Sequence, residues 1–492
     1  MFLAVAVLFL LRPVCTGADS AMHSYGYTTR DGLAGNSVRT IYQDSEGFLW
    51  FGSFDGLTRY DGHSFRTIEP DSTSGKYWTD RDVKKIMEDS GHRLWLVTNS
   101  GRVACYDKSR ECFFDYTGTG EWLELYNSVE LLSGGDVLLW HPENGCRRIR
   151  FEGSVPESEI ICVRTGKLPS DKVRSVVETS DGALWICTAE GAVRIKDGEY
   201  CRYAVGTDCC RVVESGNGVL LLTGSGEILS VENGSTGLLC RLSLKKPSDR
   251  LLFNDCYVLK DTLVILSDLG FYAVSLPEGR QVEPPYNAGC VNKTAWDEDG
   301  CLWWSENSGV ISCVNTDSGE MHHLALMDRQ RLEKVGIERF SVAAATDGRK
   351  WISLFGGGLF SFDPKTGSLE HFSYRVDGGG EISSDFLLCV KSDRYGNIWT
   401  GSEYQGLNML VPLRMGVKYR YPADSTLTDR SNTIRMVRNV DGYGVFAASR
   451  NGRDSMSPTV PPISVMTTSG ASSRRETASM RRLISSVICG MT

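Results

Sequence analysis

Basic clusters are missing from this sequence. No run of Lys or Arg is longer than a pair such as Arg474-Arg475 or Arg481-Arg482, and the formal net charge is -8. A protein that neutralises phosphate backbones needs a concentrated positive surface, so the composition argues against nucleic acid as a partner. Local catalytic signatures are missing too: there is no GxSxG, no HExxH and no P-loop, and the seven histidines, His322-His323 among them, lack metal-ligand spacing. No ATP-binding motif or phosphoacceptor helix of a kinase is present. The sequence therefore assigns no catalytic residue, no metal and no cofactor. Cysteine is plentiful, at sixteen, yet CxxC is absent. Cys105, Cys187 and Cys313 fall inside apolar strand patterns and read as small buried hydrophobes. A pairing such as Cys146 with Cys162 cannot be deduced from spacing.

Long apolar runs are also lacking. The stretch from Phe2 to Leu11 is too short to cross a bilayer as a helix. It reads instead as the apolar part of a signal peptide over residues 1–18, with Thr16-Gly17-Ala18 as the cleavage site, although no Lys or Arg precedes it. Val14-Cys15 lacks the small residue that a lipoprotein site needs before its cysteine. The expectation is an exported, periplasmic or otherwise extracytoplasmic chain with no transmembrane helix of its own. With 41% hydrophobic and 10% aromatic residues, most of it should fold.

What the sequence has in abundance is one small part, repeated. Asp44 to Gly56, DSEGFLWFGSFDG, returns in outline at Trp95, Trp185, Trp303, Trp351 and Trp399. Tryptophans 50, 185, 303, 351 and 399 each have Gly three places before them, where composition predicts roughly one such case by chance. Gly56, Gly101, Gly191, Gly309 and Gly357 stand six places after a repeat tryptophan. Degenerate copies start at Asn127, Arg211 and Cys256, with Leu or Val in the Trp position, and a tenth starts at Asn432.

One unit reads as four short strands. Ser37 to Tyr42 is strand-like; Asp44-Ser45-Glu46-Gly47 is a turn in which Asp can accept from backbone N–H groups ahead of it while Gly takes positive φ. Phe48 to Ser53, Leu57 to Tyr60 and Ser64 to Ile68 follow, separated by tight turns that dictate an antiparallel meander. A sheet this small cannot bury both faces alone, so units must stack around an axis with the tryptophans wedged between neighbours. That is a β-propeller blade; a β-solenoid or a string of sandwiches fits a 40 to 50 residue period of four strands less well.

With DGLAGNSVRTIYQDSEGFLWFGSFDGLTRYDG and GGGLFSFDPKTGSLEHF in hand, the sequence resembles the two-component regulator propeller repeats of hybrid two-component sensors, over about Tyr25 to Arg453. The resemblance implies an exported sensor region of two seven-bladed propellers and a β-sandwich. A membrane helix, a histidine kinase, a receiver and a helix-turn-helix domain would follow in the intact protein. It implies a role in sensing breakdown products of complex polysaccharides, with an oligosaccharide ligand and a homodimeric receptor.

The expected fold is thus all-β. A seven-bladed propeller over residues 22–330, with Gly26 to Arg30 supplying the outer strand of its last blade, precedes an incomplete second propeller of about three blades over 335–453, after the pattern breaks at Leu324 to Arg339. From Asp454 on, residues 454–492 contain no Phe, Trp or Tyr, although a globular stretch of that length should hold roughly four aromatics. This segment reads as a disordered Ser/Thr/Pro tail or as the product of a frameshift after Arg453, because a blade cut off in its middle has no cap.

Off-pattern aromatics are the candidates for a ligand surface, since the patterned tryptophans are consumed by packing. They are Trp78 in EPDSTSGKYWTDRD, Trp122 in GEWLELY, Trp296 in TAWDEDG and Tyr404 in SEYQG. Each equally suits a rim residue that covers a blade edge. The rival readings are a carbohydrate-active propeller enzyme, sialidase-like or another glycosidase or lyase, which needs a carboxylate pair or converging arginines that no local motif marks, and a plain protein-interaction scaffold.

Overall fold

The computed structural model describes residues 22–69, 78, 80–117, 126–153, 155–216, 218–232, 234–244, 251–286, 291–306, 308–327, 333–336, 339–376, 381–412, 434–440, 444–449 and 464–465. The chain forms two compact units, residues 1–412 and 413–492. The expected signal peptide lies outside the described residues, as does the tail from 454 on apart from 464–465.

In residues 22–412 the repeats form four-stranded antiparallel sheets. In the first, Val38–Gln43, Leu49–Ser53, Gly56–Tyr60 and Phe65–Ile68 pair in sequence, close to the boundaries that the turn residues dictate. Eight such blades span 38–68, 83–113, 128–161, 173–203, 209–241, 253–282, 291–325 and 340–372. The ninth takes three strands from 387–412 and its outer strand from Met22–Tyr27, which pairs antiparallel with Leu407–Pro412. The N-terminal strand therefore completes the last blade, as expected, but that blade is the ninth.

Closure is visible in the cores. Nine apolar clusters fill nine seams, one between each adjacent pair of blades. Trp50 packs toward Tyr106 of the second blade, and Trp399 packs against Phe51, Tyr27 and Tyr60 where the ninth blade meets the first. Cys389 of the ninth blade donates to the Val38 carbonyl of the first, and Arg394 donates to Gln43 and to the Asp44 carbonyl.

The expectation of seven blades plus three is thus corrected: a single ring of nine blades runs through residue 330 without a break. Leu324 and Leu326, taken from sequence as the start of a break, are buried in the seam between the seventh and eighth blades. Leu324 belongs to the outer strand Met321–Ala325 of the seventh blade. The repeat at Asn432 lies in the second unit, where Ile434–Val440 and Gly444–Ser449 pair antiparallel and Ser464–Val465 adds a parallel strand. Cys146 and Cys162 are both free thiols, not paired with each other.

Candidate ligand-binding face and axial wall

The repeated turn explains itself at the atomic level. Asp44 accepts from the backbone N–H groups of Gly47 and Phe48 with one carboxylate oxygen, and from the indole N–H of Trp50 at 2.8 Å with the other. The same indole bond, at 2.9 Å, joins Asp89 to Trp95, Asp297 to Trp303 and Asp393 to Trp399. A further donor reaches each acid: Lys108, Arg93, Lys350 and Asn397 respectively. The carboxylate holds the turn and fixes the ring that fills the seam. Sequence reasoning saw its backbone role and missed the indole, although the signal, Asp six places before Trp, was present.

At this end of the ring neighbouring blades are latched together. Ser45 donates its N–H and hydroxyl to Glu88 of the next blade, and Ser133 does the same to Glu178. Lys108 bridges Asp44, Glu46 and Glu88 at 3.0, 3.1 and 2.7 Å. Burial works to raise the Glu88 carboxyl, but the bonds from Lys108 and Ser45 outweigh it and hold the group below its ordinary range. These polar groups serve the turns and the contacts between blades.

The opposite end carries the turns between second and third strands, together with the blade connectors. Hydroxyls close these turns: Ser53 donates to the Gly56 carbonyl, Thr188 to Gly191, Ser267 to Gly270 and Ser402 to Gly406. Gly406 is obligatory, because its φ is +71° and a Cβ would collide with the Tyr27 carbonyl. This turn is one residue longer than those that follow Ser53, Thr188 and Ser267.

Around the ninth and first blades this end exposes aromatic rings: Tyr404 at 66%, Phe54 at 54% and Phe386 at 41%. Short backbone bonds tie them together. Glu403 N–H donates to the Phe386 carbonyl, Gly406 N–H to Asn36, and Phe54 N–H to the adjacent Ser37. The Phe355 ring of the eighth blade lies 5.3 Å from Phe386, with the Arg339 guanidinium 5.0 Å over Phe355 and Arg39 5.8 Å over Phe54. Three consecutive blades thus present an arc of rings with cations at its two extremities.

The third surface is the axial wall, where first strands of neighbouring blades run side by side. In seven blades the start of this strand carries a bulge, at Arg39, Lys84, Arg174, Cys210, Asn254, Asn292 and Leu388. Bulges re-aim side chains, and here they send cations across to the next blade. Arg39 pairs with Asp82 at 2.7 Å, Arg174 with Asp208 at 3.1 Å, and Arg211 with Asp255 at 2.7 Å. Burial pushes the Asp82 carboxyl up in spite of Arg39.

The four candidate aromatics separate. Trp78 is 3% exposed and fills the seam between the first and second blades, 4.6 Å from the Phe113 ring, so it serves packing and not the surface. Trp122 lies outside the described residues. Trp296 is half-exposed on the axial wall and donates its indole N–H to Asp255 of the sixth blade at 2.7 Å. Tyr404 belongs to the aromatic arc. Trp296 ends its strand one residue ahead of the Asp297 turn, so the two remaining candidates stand toward opposite ends of the ring. Phe54 and Phe386 were not singled out from sequence; Phe54 sits in the repeat's own turn and was read as part of the scaffold. Among the described residues no helix is long and apolar enough to cross a membrane.

Comparison with known proteins now bears on these repeats. The family described as two component regulator propeller matches residues 32–55 and 167–190. Each match runs from the connector through the inner strand and turn to the end of the second strand, in the first and fourth blades. Histidine kinase P4 of Formosa agariphila is 49% identical over 51 residues, which is 10% of this chain and 4% of that protein. The extracellular domain of a hybrid two component system from B. thetaiotaomicron aligns at 18% identity and a TM-score of 0.36, covering 87% of this chain and 58% of that one. Virginiamycin B lyase from Staphylococcus aureus aligns at 12% and 0.39, covering 79% and 98%. The chain spans a small fraction of the kinase and little more than half of the hybrid-system domain, and the structural likenesses are too loose to carry an argument about activity. The matched segments are themselves blade repeats, and in them the chain is similar to the two component regulator propeller family.

Proposed function

We propose that this propeller is the extracytoplasmic ligand-sensing region of a two-component sensor, and that it recognises an oligosaccharide without transforming it. The observation that carries the reading is the arc formed by Tyr404, Phe54 and Phe386. These rings stand in water on three neighbouring turns and connectors, whereas the repeat tryptophans at 50, 95, 185, 303 and 399 are buried. Sugars present apolar C–H faces framed by hydroxyls, which suits exposed rings flanked by backbone and amide groups such as those of Asn36 and Gln405. In an intact receptor, ligand bound here would bias a dimer between two arrangements and so regulate polysaccharide utilisation.

Isothermal titration of the full chain with neutral and acidic oligosaccharides tests the proposal. Binding without turnover is expected, weakened about tenfold by Tyr404→Ala or Phe54→Ala, the loss of roughly one ring contact. Absence of binding by every glycan, or steady consumption of one, would overturn it, the second in favour of a carbohydrate-active enzyme.

A further inference from the structure

We propose that Cys187 of the fourth blade and Cys209 of the fifth are joined by a disulfide when the chain folds in the presence of a disulfide oxidant. Both are free thiols here, completely buried in the seam between the two blades. The repeat itself measures how close they lie. Cys187 stands opposite Ser175 in its blade, as Gly52 stands opposite Thr40 and Gly401 opposite Cys389. Cys209 is the inner-strand residue just ahead of the bulge, the place that Val83 holds in the second blade and Val38 in the first. A Cβ on Gly52 would fall 3.0 Å from that of Val83 in the next blade, and one on Gly401 would fall 3.0 Å from that of Val38.

Between the fourth and fifth blades side chains occupy both places, and the slight opening that two Cβ atoms need brings them to the roughly 3.5–4.5 Å that a disulfide spans. Elsewhere this pair of places holds apolar neighbours, such as Leu266 with Val291 between the sixth and seventh blades. Other thiols are placed less well. Cys210 occupies the bulge itself, with Sγ 3.9 Å from the Asp208 carbonyl. Cys301 and Cys313 share a seam too, but stand two places out of register on adjacent strands, opposite Asn315 and Trp303. Such diagonal pairs lie about 7–8 Å apart, beyond the reach of a disulfide.

The exchange balances. One cysteine thiolate attacks the oxidant's disulfide and releases its first thiol; the other thiolate then attacks the Sγ of the mixed disulfide and releases the second. Two protons and two electrons pass from the cysteines to the oxidant, which leaves as two thiols. Burial pushes both cysteine thiols up, Cys209 to about 12, so neither supplies thiolate once the seam has closed, and the bond forms while the blades assemble. In the cell the oxidant depends on the extracytoplasmic location proposed above, because such compartments sustain disulfides. In solution glutathione disulfide supplies the same chemistry, so the bond can fail while the sensing reading stands, and the converse.

The test is to refold the full chain from urea in reduced and oxidised glutathione, block it with iodoacetamide and map its tryptic peptides without reduction. The expected product joins peptide 175–194, which holds Cys187, to peptide 203–211, which holds Cys209 and Cys210, several-fold more abundantly than any link between Cys301 and Cys313. Cys210→Ser should keep this link and Cys209→Ala should remove it. Dithiothreitol should lower the urea midpoint of the wild type and of Cys210→Ser, because it frees the unfolded chain from a closed loop, and should leave that of Cys209→Ala unmoved. Absence of the link, a link lost in Cys210→Ser, or one no more abundant than Cys301 with Cys313 would overturn the proposal. The Cys210→Ser arm decides the assignment even where Cys209→Ala does not fold.

Discussion

The first and fourth blades differ at one atom pair. In the first, the Trp50 indole donates to Asp44. In the fourth, Thr179 takes the place of the acid, and the buried indole N–H of Trp185 has no partner among the described residues. Thr179 closes its own turn through the Ala183 carbonyl and Asp181. Further around the ring Leu138, Leu221 and Val264 stand in the Trp position, all completely buried, and those blades keep the same four strands. Filling the seam is therefore the requirement that every blade meets. The acid–indole bond is an addition that four blades make; in all four it is coupled to the turn, and in the first and seventh also to the next blade, through Lys108 and Lys350.

The largest effect should come from removing the acid where it does most. Asp44→Ala strips acceptors from two backbone N–H groups, the Trp50 indole and Lys108, the last two in buried positions. Lys108 keeps Glu46 and Glu88, so the cost is that of orphaning the buried indole and the two turn N–H groups, about 2–3 kcal/mol. Thr179→Ala should cost about 1 kcal/mol, the order of one hydrogen bond. Urea unfolding followed by tryptophan fluorescence compares the two; equal costs would show that the first-blade network adds nothing.

Acid should act on the same contrast. The folded-state pKa values of Glu88 and Asp297 are depressed: burial opposes this, but Lys108 and Ser45 for Glu88, and Lys350, the Trp303 indole and the Cys301 N–H for Asp297, outweigh it. A depressed carboxyl contributes stability that is present above its unfolded value, near 4, and is lost as pH falls through the folded value. The urea midpoint should therefore hold from pH 7 to 5 and drop below 4. Glu88→Gln should flatten that drop, and an unchanged profile would remove Glu88 from the account.

A smaller effect is expected at the closing seam. Arg394 of the ninth blade is the latch to the first: its backbone N–H donates to the Gln43 side chain, which Ala would keep, and its guanidinium to the Asp44 and Ser45 carbonyls. Because it is partly solvated, Arg394→Ala should cost about 1 kcal/mol. Hydrogen exchange in Met22–Tyr27 and Val38–Gln43 should rise above that in the other blades. Uniform exchange around the ring would mean that the apolar cluster at Trp399 and Phe51 closes the seam unaided.

These contrasts mark what was legible in the sequence. Strand, turn and repeat were, because each depends on residues a few places apart: Asp44, Gly47 and Trp50 lie within one turn. The number of blades per ring was not, because closure is settled where Trp399 meets Phe51 and Tyr27, nearly the whole chain away. The tryptophan spacing is the same for a ring of seven or nine. Trp78 misled because its loop is polar on both sides, yet the indole turns into a seam. The axial pairs were illegible for the same reason as the ring size, since Arg39 and Asp82, or Arg211 and Asp255, come from different blades.

The sharpest form of the comparison is to convert one blade into the other. Thr179→Asp would place a carboxylate six residues before Trp185, where Asp44 stands before Trp50, with the Gly182 and Ala183 N–H groups at hand in the same turn. The mutation gives up the hydroxyl bond to the Ala183 carbonyl and brings a charge near Asp181, which already holds Arg194 and Lys196. Against that it satisfies a buried donor whose orphaning costs about 1–3 kcal/mol. A net gain of about 1 kcal/mol is expected, with slower exchange of the Trp185 indole proton. Slower exchange without added stability would locate the cost at Asp181. No change in exchange would mean that the turn of the fourth blade does not bring position 179 within reach of the ring, so that the acid works only in turns already shaped around it.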